Sequence, residues 1–269
     1  MLGFCIGANW VRPYRISAIY ASGAFSHDRS HAWRVTAIAA MTGGAARPNT
    51  QPAPRNPQPH AMPPASQREI YLKVEQILKL PSMPAASPSY PMGPYRFINR
   101  EFMIVTYETD RDLLRQAVPE PLEPNPDGLV LYEWIRMPDS SGFGDYTESG
   151  IVIPCLYNGE PVNFTAQMYL DDEPPISAGR EIWGFPKKYA LPKLEVCSDT
   201  LTGTLHYAGQ MVAMGTMAYK HQEAPGGVEA QAKGMTRTSC NLKIIPDVDG
   251  SPKICQLVGY NLTDITVKG

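Results

Sequence analysis

Two adjacent lysines, Lys187 and Lys188, close the segment Gly179-Arg180-Glu181-Ile182-Trp183-Gly184-Phe185-Pro186-Lys187-Lys188. Such pairs are ordinarily solvated surface charge, but Ile182, Trp183 and Phe185 put apolar bulk beside this one. Pro186 fixes its own φ and biases Phe185 toward an extended conformation, so a rigid, extended and partly apolar segment is expected to carry both lysines. Side chains alternate across an extended strand; one lysine then enters a pocket while the other faces elsewhere. An amine held in an apolar pocket loses solvation of its charged form, which lowers its pKa and frees a nucleophile able to attack a carbonyl carbon.

Magnitudes decide which effect matters more. A free lysine, with pKa near 10.4, is only about 0.04% unprotonated at neutral pH, and bringing it near 7 takes roughly 3 units, or about 4 kcal/mol. Repulsion between neighbouring ammonium groups supplies that much only at about 4 Å and an effective dielectric near 20. Burial supplies about 3 to 5 units, so desolvation is expected to be the larger cause.

Three other charged residues stand in suggestive settings. Arg100 lies in Phe97-Ile98-Asn99-Arg100-Glu101, where by itself it reads as a surface guanidinium, the usual state of arginine. Glu148, in Tyr146-Thr147-Glu148-Ser149-Gly150, by itself reads as a turn residue. Glu133 interrupts the apolar run from Leu129 to Ile135. A buried strand cannot hold an unpaired carboxylate cheaply; the other reading of Glu133 is an outward position on an alternating strand.

The elements that must position these residues are mostly strands. Phe102 to Tyr107, Leu129 to Met137, Ile151 to Tyr157, Val162 to Leu170, Leu201 to Tyr207, Met211 to Tyr219, Ser239 to Ile245 and Cys255 to Val267 are strand candidates set off by Gly, Pro, Asn or Asp. Residues 109 to 117 read as a helix with a threonine or aspartate cap, ended by Pro119. A second helix is expected after the capping box Ser66-Gln67-Arg68-Glu69, with Ile70, Val74, Ile77 and Leu78 at helical spacing until Pro81. Many strands and few helices imply a β-rich (α+β) fold. Its pairing is expected to be antiparallel, because the intervals look too short for helical crossovers.

The motifs just quoted, taken with Gly93-Pro94-Tyr95, Val118-Pro119-Glu120-Pro121-Leu122-Glu123, Tyr169-Leu170-Asp171-Asp172-Glu173-Pro174, Asn241-Leu242-Lys243-Ile244-Ile245-Pro246 and Gly250-Ser251-Pro252, closely resemble the acetoacetate decarboxylase family from about Pro88 to Val267. The resemblance implies an antiparallel cone-like β-barrel with a few peripheral helices. It implies a β-keto acid such as acetoacetate as substrate, a Schiff base on Lys187 and Lys188 as its supporting partner. Arg100 would then hold the substrate carboxylate, Glu148 would face the active site and Glu133 would anchor Lys188 away from Lys187. No metal or organic cofactor is implied, since the iminium is itself the electron sink. A homo-oligomer is implied as well. A Schiff-base aldolase-dehydratase on the same scaffold is the nearest alternative, with Arg100 and Glu148 favouring decarboxylation; a non-catalytic remnant that binds small molecules is the other.

Composition narrows the rest. The 269 residues, 43% apolar with a net charge of −2, give no reason to expect a nucleic-acid or anionic-membrane partner. Cys5, Cys155, Cys197, Cys240 and Cys255 are scattered, without a Cys-x-x-Cys, which fits a reducing, cytoplasmic setting and indicates neither a disulfide framework nor a zinc cluster. Asp171-Asp172-Glu173 reads as a solvated turn, and Gly142-Phe143-Gly144 fails as a dinucleotide fingerprint because Thr147 occupies the third glycine position. No Gly-x-Ser-x-Gly or His-Glu-x-x-His occurs.

Residues 1–65 contain Asp28 as their only acid and no lysine, and their proline-rich stretch from Asn49 to Pro64 is expected to be disordered. They read as an extension ahead of a true start at Met62, or as an Arg-rich transit peptide, with residues 66–269 forming the decarboxylase-like domain. Beyond the segment matching Leu262 to Val267 the family continues through further strand and helix, so the domain is expected to be incomplete at its C-terminal end.

Overall fold

The computed structural model describes residues 72–223, 225–262 and 265–267. The expected extension at 1–65, the Ser66 capping box and the end of the last strand candidate lie wholly or partly outside them. Of the first helix, the described part is α1 (Val74–Ile77), with its side chains exposed. The helix at 109–117 is α2 (Arg111–Ala117), capped by Asp110, whose carboxylate accepts from the backbone N–H groups of Asp112 and Leu113.

The main sheet is built around three long strands, β4 (Leu129–Ser140), β5 (Gly144–Tyr157) and β6 (Glu160–Leu170), paired antiparallel in chain order. Short β1 (Phe97–Ile98) and longer β2 (Glu101–Glu108) add to β4, and β3 (Glu123–Pro124) adds to β5. On the other side of β6 lie β7 (Lys187–Tyr189) and β11 (Ser239–Pro246), with β12 (Pro252–Tyr260) outside β11. A second sheet orders β10 (Gln210–Ala218), β9 (Thr200–Tyr207) and β8 (Leu191–Cys197). The β-rich expectation holds. Among the described residues the ladders run from β2 and β1 through β4, β5 and β6 to β11 and β12, with no ladder between β12 and β2.

The antiparallel expectation needs a correction, because β6 pairs parallel with both β7 and β11. Parallel neighbours require a crossover, usually helical. The residues between Leu170 and Lys187 provide one: α3 (Glu173–Ala178), with proline in its first turn, runs straight into a π-helical turn at Gly179–Trp183. Asp171-Asp172-Glu173 is therefore not a free turn. Asp172 is the cap residue of α3 and Glu173 its first acid, while Asp171 accepts a hydrogen bond from the Thr147 backbone. Nor is the whole of 179–188 extended; Gly184, at φ +72°, stops the π turn, and extension resumes only at Lys187. A further helix that the sequence reading missed, α4 (Gly227–Met235), stands on the path back to β11.

Both faces of β4 are covered, which is why its burial does not alternate cleanly. One face carries Tyr132 and Trp134, which pack with Met103, Leu194 and Leu201 under the second sheet. Gly203 and Gly215 make room for the indole: a Cβ at Gly203 would lie 2.5 Å from Trp134 Cδ2. On the opposite face Ile135, Met137, Tyr146, Met168 and Leu170 pack with Ala178, Trp183 and Phe185 of the crossover. No helix among the described residues is long and apolar enough to cross a membrane.

Candidate active site

Strand register brings the charged residues together on the face covered by the crossover. Glu133 on β4 lies opposite Gly150 on β5, Gly150 opposite Met168 on β6, and Met168 opposite Lys187 on β7. Directly opposed residues share a face, so Glu133 and Lys187 point to the same side. Glu148, two residues from Gly150, joins them. Glu148 thus lies within a strand and not in a turn. Lys188 takes the other face, opposite Tyr169, and is exposed; the expected divergence of the two lysines is what the backbone produces. The same register puts Glu133 in the row of Lys187, on the face away from Lys188.

Lys187 is 7% exposed and Glu148 4%, and the Lys187 Nζ donates to Glu148 Oε1 across 2.6 Å. Buried charges persist when paired and hydrogen-bonded, and this pair meets that condition. Lys187 Nζ also lies 5.1 Å from the centroid of the Phe185 ring. Arg180 reaches back to donate to the Lys187 carbonyl oxygen at 3.1 Å, fixing the backbone from which the amine departs.

Arg100 stands just before β2, its guanidinium carbon 4.7 Å from the Phe102 ring centroid and 5.3 Å from that of Phe97. Its Nε is buried without a protein partner, an open donor on a cation already held by two aromatic faces. Burial pushes the Glu133 carboxyl up to about 7; Arg100 pulls it back and the Glu148 charge pushes it further up. Glu133 thus lies within electrostatic reach of both Arg100 and Glu148.

Two tyrosines complete the site, and the sequence reading singled out neither. Tyr146 precedes Glu148 by two residues on the same face and is buried; burial first, then the Glu148 charge, hold its hydroxyl well above the usual phenol range, with Arg100 opposing. Tyr260, at the end of β12, lies opposite Ser239 on β11, has its hydroxyl pushed up by burial first and then by the charges of Glu133 and Glu148, with Ser239 and Thr165 opposing, and packs its ring 5.1 Å from Phe185. Tyr146 was within a quoted motif, so its period-two spacing from Glu148 was the available signal. For Tyr260, pairing of β11 with β6 had to be known first.

A buried amine beside a carboxylate, with a guanidinium on the same wall, can bind a carbonyl compound that also carries a negative charge. Comparison with known proteins decides between families that have such a site. Residues 80–269 match the family model described as acetoacetate decarboxylase. The acetoacetate decarboxylase of Burkholderia mallei (strain NCTC 10229) is 60% identical over 188 residues, covering 70% of this chain and 75% of that protein. The chain belongs to the acetoacetate decarboxylase family.

Solved structures agree. The acetoacetate decarboxylase of Legionella pneumophila is 52% identical with a TM-score of 0.66, over 68% of this chain and 72% of that one. A second acetoacetate decarboxylase structure is 46% identical with a TM-score of 0.70, over 72% of this chain and 78% of that one. These relatives, 46–60% identical, are named acetoacetate decarboxylases, and the chain is a decarboxylase-type enzyme, a carboxy-lyase, on that ground.

Proposed function

We propose that the chain decarboxylates a β-keto acid such as acetoacetate through a Schiff base on Lys187. The observation that carries this reading is the Lys187 amine, buried and 2.6 Å from a carboxylate that can take its proton. Arg100, with an open buried donor, receives the substrate carboxylate. Glu148 accepts a proton from Lys187, and the freed amine adds to the ketone carbon. Loss of water gives a protonated imine.

The electron pair of the bond to the carboxylate then moves into the iminium, releasing carbon dioxide and leaving a neutral enamine. As the charge leaves Arg100, a proton from the carboxyl pair Glu133 and Glu148 is delivered to carbon; Glu133, poised near neutrality, is suited to hold it. Water hydrolyses the resulting imine to the ketone and regenerates the lysine. Lys188 contacts neither substrate nor Lys187 in this scheme, and any support it gives is through its charge alone. A homo-oligomeric assembly is part of the same reading, taken from the family.

Borohydride trapping tests it. With acetoacetate present, reduction is expected to inactivate the enzyme and leave an isopropyl-type adduct on Lys187, found by peptide mass analysis, with release of carbon dioxide. An adduct without carbon dioxide would point to aldol-type chemistry. No adduct on Lys187 would contradict the proposal.

A further inference from the structure

Gly179 has φ −59° and ψ −47°, a conformation open to every residue, and at a helical position glycine is a poorer choice than alanine. Neither a turn nor a positive φ explains it. Its surroundings do: a Cβ at this position would lie 2.6 Å from Lys187 Cδ, 2.9 Å from Cε and 3.2 Å from Nζ. All three of its nearest atoms would belong to that one side chain.

The geometry points to Gly179 as a positioning residue for Lys187, its missing side chain being the slot in which the lysine stem lies. This rests on the Schiff-base role of Lys187. The slot cannot widen by backbone movement without breaking several contacts. The Gly179 carbonyl accepts from the backbone N–H groups of Gly184 and Phe185, Glu181 accepts from the Tyr90 hydroxyl at 2.6 Å, and the Trp183 carbonyl accepts from Asn241 Nδ2 at 3.1 Å. The lysine stem, with its rotatable bonds, is the softer partner. A methyl group at 179 is therefore expected to displace the amine from Glu148 and not the turn from the sheet.

Gly179→Ala is the test, read in two ways. A misplacement of about 1 Å costs on the order of 100-fold in rate, so kcat is expected to fall by about that factor with KM within about threefold, and trapping of Lys187 by acetoacetate and borohydride to slow in step with kcat. The second reading is a stability cycle with Lys187→Ala, which removes the atoms that the new methyl group would strike. Gly179→Ala is expected to lower the Tm by roughly 2–10 °C when Lys187 is present and by less than about 2 °C when residue 187 is alanine. Equal losses in both backgrounds, or a folded Gly179→Ala enzyme with kcat within about threefold of wild type, would overturn the inference. Should the single variant fail to fold, folding of the double variant supports the slot, and failure of both sinks it. If the wild-type enzyme shows no adduct at Lys187, the proposed reaction fails, and the cycle separately reports whether Gly179 and Lys187 are in steric conflict.

Discussion

Replacing Glu133 by glutamine removes a carboxyl group whose titration opposes folding. Burial lifts this group from 4.5 to about 7, against the pull of Arg100. The native state therefore keeps a proton that the unfolded chain has already released, and stability falls as pH rises from 4.5 to about 7. The full shift corresponds to about 3 kcal/mol. Glutamine has no such titration. Glu133→Gln should match the wild type at about pH 4, where both side chains are neutral, and gain progressively to about 3 kcal/mol by about pH 8, or roughly 6–12 °C in Tm for a domain of this size. Urea denaturation of both proteins across this range measures the difference. A gain that is constant with pH, or that is largest in acid, would refute the reasoning, because it would mean that Glu133 is not held protonated by its surroundings.

Other substitutions separate the roles of the remaining groups. Glu148→Gln removes the proton acceptor of Lys187 and should lower kcat by about 10²- to 10⁴-fold; it also breaks a buried pair, at about 3–5 kcal/mol, measurable by denaturation, and a fully active variant would exclude Glu148 from the proton transfer. Arg100→Gln should raise KM for acetoacetate by about 10- to 100-fold, the worth of a charge-assisted hydrogen bond, while trapping at saturating substrate still labels Lys187; an unchanged KM would show that the carboxylate binds elsewhere. Gly203→Ala puts a methyl group 2.5 Å from Trp134 Cδ2 and should cost about 1–3 kcal/mol of stability, a loss visible in thermal melts; no loss would mean that the two sheets are not locked through this indole.

Much of this arrangement was legible in the chain itself. Short apolar runs bounded by Gly, Pro, Asn or Asp, such as Leu129 to Met137 and Val162 to Leu170, are a local property, and β4 and β6 formed where they predicted strands. The divergence of Lys187 and Lys188 likewise followed from strand geometry alone. What local pattern could not reveal is partner choice. Pairing of β6 with β7 and β11 places Lys187 and Tyr260 near Glu148, and those pairings depend on a crossover whose π turn has no simple sequence signature. The prolines beside Glu173 looked like turn signals, yet the first turn of a helix accepts proline as readily. For Glu133, sequence alone could not choose between an anchor for Lys188 and an outward position on an alternating strand; the register of β4, β5, β6 and β7 puts it in the row of Lys187.

The oxygen of the product ketone reports most directly on whether Lys187 forms an imine. Decarboxylation of acetoacetate in water enriched in oxygen-18, with the ketone reduced at once to stop later exchange, should give product whose oxygen comes from solvent in every molecule, since imine formation expels the original one. Product that keeps the substrate's carbonyl oxygen would mean that carbon dioxide leaves without a covalent bond to the lysine.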